Sequence, residues 1–145
     1  MKSYFCWFLV LLGLAGCVDK YEHSPRLAAD KAEEFASEAF VKKNYDAAYN
    51  LLADGTRRHV SPEQFRQTLT KNQSEPAPRK ITATEYEPMP GEKAVYIYLE
   101  GDQGGAASNY RITMEGTAAT GYKVLRFDRG SGLNLPGSER KRVPQ

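Results

Sequence analysis

Tyrosine hydroxyls and carboxylates are the groups in this chain that could do chemistry. A tyrosine hydroxyl can donate to a developing oxyanion, and a carboxylate held away from water can take up a proton. The 145-residue chain carries nine tyrosines. Tyr49, Tyr96, Tyr98 and Tyr110 form the candidate pocket-lining set. Tyr96 and Tyr98 are two apart, which puts them on one face of a strand, and Tyr49 falls in a helical stretch. The competing reading makes the same rings core or rim aromatics with wetted hydroxyls. The carboxylates are placed less well for catalysis. Glu85, Glu87, Glu100, Asp102 and Glu115 fall at expected strand ends or turns. Asp46 opens a helix, where its charge suits the helix dipole. None is singled out as a buried base, so no catalytic residue is assigned.

Other chemistries have thinner support. His23 and His59 are the only histidines, and no His/Cys/Asp/Glu spacing matches a metal site. No metal ligand and no cofactor are therefore expected, and no serine has a suggestive histidine partner. Arg57-Arg58-His59 reads either as an anion contact near a helix start or as a solvated basic loop. Gly101-Asp102-Gln103-Gly104-Gly105 lacks the Gly-Lys-Ser/Thr ending of a phosphate cradle and reads as a hairpin turn.

The elements that would position these residues change period midway. Ser24-Pro25 offers an N-cap and a proline at the first helical position. Ala28, Ala32, Phe35, Ala36, Ala39 and Phe40 then recur at steps of three and four, predicting a helix over 25–43. A short second helix covers 45–52, stopped by Asp54-Gly55. Ser61, Pro62 and Gln64 spell a capping box, with Val60 and Phe65 as its staple, for a third helix to about residue 71. From Lys80 the period becomes two. Strands are expected over 80–86, 93–100, 108–115 and 122–128, joined by glycine-bounded hairpins. The second strand is apolar or aromatic on both faces, which predicts a central place in the sheet. The fold class is α+β: N-terminal helices packed on a curved antiparallel sheet of about four strands.

The N-terminus has its own pattern. Lys2 precedes an apolar run that closes on Leu14-Ala15-Gly16-Cys17. The run over 4–18 is about 15 residues, short of the ~20 that span a bilayer. A charged start, an apolar middle and small residues before the cut fit a processed signal. The Leu-Ala-Gly-Cys ending resembles the lipobox of bacterial lipoproteins; an ordinary secretory signal or a retained helix is the alternative. The resemblance implies a lipidated Cys17 as the first mature residue, carrying palmitate-type acyl chains. One chain binds a membrane only marginally, whereas two or three hold firmly. Val18, not aspartate, follows the cysteine, which implies the periplasmic face of the outer membrane, with the inner membrane as the alternative. The expected layout is a signal peptide over 1–16, a lipidated tether over 17–24, one domain over 25–129 and a disordered tail over 130–145.

Composition agrees with an exported domain. Cys6 would be removed and Cys17 converted to a thioether, leaving no disulfide to staple the fold. About 105 residues suffice for one apolar core. The net charge is +2 with both signs mixed, which is not a nucleic-acid footprint. Arg140-Lys141-Arg142 in the tail could touch anionic envelope polymers or lipid.

A second resemblance rests on two stretches. One is Lys42-Lys43-Asn44-Tyr45-Asp46-Ala47-Ala48-Tyr49-Asn50-Leu51-Leu52, followed by Ser61-Pro62-Glu63-Gln64-Phe65. The other is the closing Gly121-Tyr122-Lys123-Val124-Leu125-Arg126-Phe127. Over residues 25–129 the chain resembles the nuclear-transport-factor-2-like superfamily, within it the small bacterial lipoproteins. The resemblance implies a sheet wrapped around helix 1 as a cone whose open end can form a pocket. The superfamily holds enzymes and pure interaction domains alike, so fold does not settle function. The expectation is a lipid-anchored cell-envelope protein with a non-catalytic binding domain. Its partner would be an envelope protein, a small hydrophobic ligand or a second copy of the chain, not nucleic acid. The alternative is a small isomerase or dehydratase using the cone.

Overall fold

Ser24 opens the first helix as the sequence suggests, its side chain accepting from the Leu27 amide ahead of Pro25. The computed structural model describes residues 21–71, 73, 76–104, 107–130 and 139–145. Helix α1 (Pro25–Ala36) continues into a π-helical turn, Ser37–Val41, so the expected helix over 25–43 is regular only in its first part. Ala28, Ala29, Ala32, Ala36 and Ala39 are buried along it, small enough for close approach to the sheet. Lys43 then takes a left-handed φ of 56° and Asn44 caps α2 (Tyr45–Asn50) by accepting from the Ala47 amide. Asp54-Gly55 ends that stretch but also starts a separate helix, α3 (Asp54–His59), where the sequence suggests only loop. The capping box forms before α4 (Pro62–Lys71). The Ser61 amide donates to Gln64 Oε1 at 3.0 Å, and the Gln64 amide donates to Ser61 Oγ at 3.2 Å.

Alternating residues build β1 (Lys80–Pro88), β2 (Ala94–Asp102), β3 (Ala107–Thr117) and β4 (Gly121–Arg129). They pair antiparallel, and a fifth strand, β5 (Lys141–Arg142), gives the order β4-β3-β2-β1-β5. The fold is thus α+β with an open five-stranded sheet, one strand more than expected. The doubly apolar β2 is central. Bulges fall in β1 between Ala83 and Glu85, and between β3 and β4 at Thr113/Met114; such bulges bend and twist a strand. The tail expected to be disordered over 130–145 is corrected for its last residues: β5 pairs with Glu85 and Tyr86, and the Val143 amide donates to Thr84 O. Two paired residues and a half-buried Val143 hold it.

The β4 edge and the flank of β1 are partly covered, which matters because a bare edge invites foreign strands. On the β4 edge, Leu52 bridges Val124, the Ala53 amide donates to Val124 O, and Thr56 Oγ1 donates to Leu125 O. On the β1 edge, the Ala83 amide donates to Glu33 Oε1 at 2.7 Å, beside β5.

The core lies between the helices and one sheet face. Val95, Ile97, Leu99, Tyr110, Ile112, Met114 and Val124 point into it from the sheet. Phe35, Phe40, Phe65, Leu52 and Leu69 meet them from the helices. Phe35 has no exposure and lies 5.8–6.3 Å, ring centre to centre, from Phe40, Phe65 and Phe127. These tilted and edge-on contacts give the core a dense aromatic cluster on the helix side of the sheet.

Candidate binding surfaces

The strand alternation that sends Val95, Ile97 and Leu99 into the core sends Tyr96 and Tyr98 to the opposite face. Register assembles their neighbours. Tyr98 stands beside Arg111 and Glu85, and Tyr96 beside Thr113 and Glu87. One strand further, Asp128 faces Arg111 and Arg126 faces Thr113. The outer face of the sheet therefore carries a contiguous aromatic and charged array.

Its side chains interlock, although Arg111 Nε is buried without a hydrogen-bond partner among the described residues. The Tyr98 hydroxyl donates to Glu87 Oε2 at 2.9 Å, and the Glu139 amide donates to Glu87 Oε1 at 3.2 Å. The Arg140 guanidinium stacks 3.7 Å from the Tyr98 ring centre and reaches Glu85 Oε2 at 3.4 Å. Such stacking is a cation–π contact. Arg111 covers Tyr96 at 5.1 Å and donates to Asp128 Oδ2 at 3.0 Å. Arg126 donates to Asp128 Oδ1 through both Nη2 and Nε. Burial would raise the Asp128 carboxyl, but hydrogen bonds from Arg111 and Arg126 win and hold it below the usual carboxylate range. Burial works against the Arg111 charge, yet its bond to Asp128 keeps that guanidinium above its ordinary value. Asp128 is thereby held as a carboxylate between two guanidinium groups.

The four candidate tyrosines do not share a pocket. Tyr96 and Tyr98 lie on the outer face, Tyr96 half-buried and Tyr98 only 4% exposed beneath Arg140, while Tyr110 pairs with the inward Leu99 and is 2% exposed. Tyr110 stacks on Phe40 at 4.9 Å, with its hydroxyl on Ser108 Oγ. Tyr49 packs on Phe65 and donates to Val60 O at 2.8 Å. The expected set thus divides into two core tyrosines and two outer-face tyrosines, because a single residue step along a strand reverses the face. The other carboxylates also disperse. Asp46 pairs with Arg66, Asp102 accepts from the Gly104 amide in its turn, and Glu100 and Glu115 are exposed. Arg57, Arg58 and His59 form the last turn of α3, where positive charge suits the dipole.

Sequence reasoning does not single out Arg111 or Asp128, although alternation could have placed them, and it reads Arg140 only as part of a basic tail cluster, whereas the structure sets its guanidinium on Tyr98 and Glu85. Arg140 could not be found that way, since its position depends on the docked tail. Among the described residues, no group of three or more His, Cys, Asp or Glu could hold a metal ion.

A second surface lies at the end of the sheet bearing the β1–β2 and β3–β4 turns. Residues 21–24, expected as a loose tether, are docked there. The Ser24 amide donates to the Tyr122 hydroxyl at 2.8 Å, and His23 Nδ1 lies 3.3 Å from the same oxygen. The Ala118 amide donates to Glu22 O, and Lys93 covers the Tyr21 ring at 5.2 Å. Burial raises the Tyr122 hydroxyl above its ordinary value, partly offset by the Ser24 bond. Between this segment and the β1–β2 turn is a cleft of about 560 Å³, lined by Tyr21, His23, Tyr86, Pro88, Met89 and Pro90 among others. Its lining is mainly apolar, a composition that favours apolar occupants.

Cys17 and the segment before it lie outside the described residues. Among the described residues, no helix is long and apolar enough to cross a membrane. Comparison of the chain with protein-family models, with curated proteins and with solved structures finds no match.

Proposed function

We propose that this chain is a lipid-anchored cell-envelope protein, held through Cys17 at the periplasmic face of the outer membrane, with a non-catalytic interaction domain. The carrying observation is the tyrosine and arginine array on the sheet's outer face, and the aromatic packing around Phe35 favours that face over a cone mouth as the surface for a partner. That face combines tyrosines with arginines, residue types enriched at protein interfaces. Its partner is an envelope protein. The isomerase or dehydratase reading has less support. It asks for a carboxylate facing tyrosine hydroxyls inside a chamber, and the Glu87–Tyr98 pair lies on the outer face under Arg140. The α+β layout, with α1 laid on an antiparallel sheet, supports a nuclear-transport-factor-2-like relationship as the finer fold assignment.

The test uses the full chain in a two-membrane bacterium. Wild type should incorporate labelled palmitate and fractionate with outer membranes, and Cys17→Ser should lose both. A photo-crosslinking residue replacing Tyr96 should give a discrete heavier adduct, and one replacing Lys31 on α1 should not. Equal adducts from both positions would overturn the assignment of the outer face, and a Cys17→Ser protein that stays membrane-bound and uncut would overturn the anchor.

A further inference from the structure

We infer that the cleft between residues 21–25 and the β1–β2 turn is a membrane-contact site, seating acyl chains of bilayer phospholipid. The inference rests on the proposed anchor at Cys17. Four chain steps separate Cys17 from Tyr21, so their Cα atoms can be no more than ~14 Å apart even at full extension. Tyr21 does not float on that short leash. It is clamped under Lys93, and its neighbours are bonded to Ala118 and Tyr122. The anchor therefore draws one particular end of the sheet to the bilayer: the end carrying the turns after β1 and after β3.

That end is built for such contact. The cleft of about 560 Å³ presents Tyr21, Tyr86, Pro88, Met89 and Pro90, with His23 and the acidic residues Glu22 and Glu92 also in its lining. Tyrosines settle at the level of lipid headgroups because the ring is apolar and the hydroxyl wet. Methionine and proline offer apolar surface without further hydrogen-bond demands. An apolar surface patch beside a lipid anchor gains burial when it enters the headgroup–acyl boundary, to a depth of about 5–10 Å. The result is an oriented domain. The turns at residues 89–93 and 117–120 face the membrane, and the Tyr96–Arg111–Asp128 face stands roughly upright beside it, open to a partner in the periplasm.

The chain suits a fluorescence test. Its only tryptophan is Trp7, in the expected signal segment. Met89→Trp would therefore carry the sole tryptophan of the mature protein, and Glu100→Trp is a control some ~20 Å along β2 from the membrane end. Each lipidated variant is placed in vesicles of phosphatidylethanolamine and phosphatidylglycerol with brominated acyl chains. We expect at least about half of the Met89→Trp emission to be quenched, the depth of an interfacial contact, and the Glu100→Trp emission to be unaffected. Glu92→Cys carrying a polarity-sensitive dye reads the same contact without altering the apolar lining, and its emission should shift to the blue on the vesicles. Palmitate labelling of each sample separates the two hypotheses. A lipidated Met89→Trp protein as unquenched as the Glu100→Trp control overturns the membrane-contact site and leaves the anchor standing. Blue-shifted but unquenched Met89→Trp emission assigns the cleft to the protein's own acyl chains and overturns the phospholipid assignment. Absence of palmitate label overturns the anchor and this inference with it.

Discussion

Arg111 and Asp128 face each other across β3 and β4, Nη2 to Oδ2 at 3.0 Å, with side-chain exposures of 16% and 19%. The pair sits between Tyr96, which Arg111 covers, and Arg126, which takes the second carboxylate oxygen. Asp128 thus organises the outer face from the β4 side, as Glu87 and Arg140 do from the β1 side.

Asp128→Asn should destabilise the domain by about 1.5–3 kcal/mol at neutral pH, the range for hydrogen bonds to charged groups. The pH dependence follows from the direction of the shift. Asp128 is held below its ordinary value in the folded protein. Its contribution is fully present above the unfolded carboxylate value of about 3.9 and is lost as pH falls through the lower folded value. Urea midpoints measured from neutral pH down into this acid range should fall for wild type more steeply than for Asp128→Asn. Parallel curves would remove Asp128 from the acid response.

Gly116→Ala should lower stability by well over ~1 kcal/mol. Gly116 has φ of 137°, a region that side chains rarely adopt, and a Cβ there would collide with the Gly121 carbonyl oxygen. Alanine at an incompatible positive φ costs more than the ~1 kcal/mol it gains through unfolded-chain entropy. Thermal denaturation reads the loss directly. Gly91→Ala is the control, with a φ of 73° but no atom within 4 Å of a new Cβ, and should cost less.

Tyr122→Phe should loosen residues 21–24, which keep their Ala118 and Lys93 contacts, while leaving the sheet intact. The hydroxyl accepts from the Ser24 amide and contacts His23, and the ring supplies the rest of the burial. Loss of one such bond costs about 0.5–1.5 kcal/mol, or roughly two- to twelvefold in local opening. Hydrogen exchange at the Ser24 amide should accelerate by that factor, with β2 and β3 amides unchanged. Uniform acceleration across the sheet would show that Tyr122 stabilises the whole domain instead.

Phe35→Ala should cost about 3–5 kcal/mol, a large share of a typical ~5–15 kcal/mol stability. Its ring touches Phe40, Phe65 and Phe127 from the helices and β4, so no single neighbour can close the gap. Circular dichroism with urea titration tests this. Leu27→Ala, on the exposed side of the same helix, should be nearly neutral.

Much of the scaffold was legible in the sequence. The capping box at Ser61 and Gln64, the caps at Ser24 and Asn44, and the four period-two strands all appear near their expected places. The central position of β2 followed from its two apolar faces. These features depend on residues within a few positions of each other, so their energies are written locally. Tertiary structure decided the rest. Whether Tyr110 and Tyr98 converge depends on which sheet face the helices cover, and they take opposite faces. The residue pair Lys141–Arg142 becomes a strand only because the β1 edge offers Glu85 and Tyr86. Residues 21–24 become part of the domain only because distant residues receive them: Tyr122, 98 positions from Ser24, with its hydroxyl, Ala118 with its amide and Lys93 over the Tyr21 ring. Local periodicity fixes what each segment can be. Contacts between distant segments fix what each side chain faces, because their energy exists only after the chain has closed on itself.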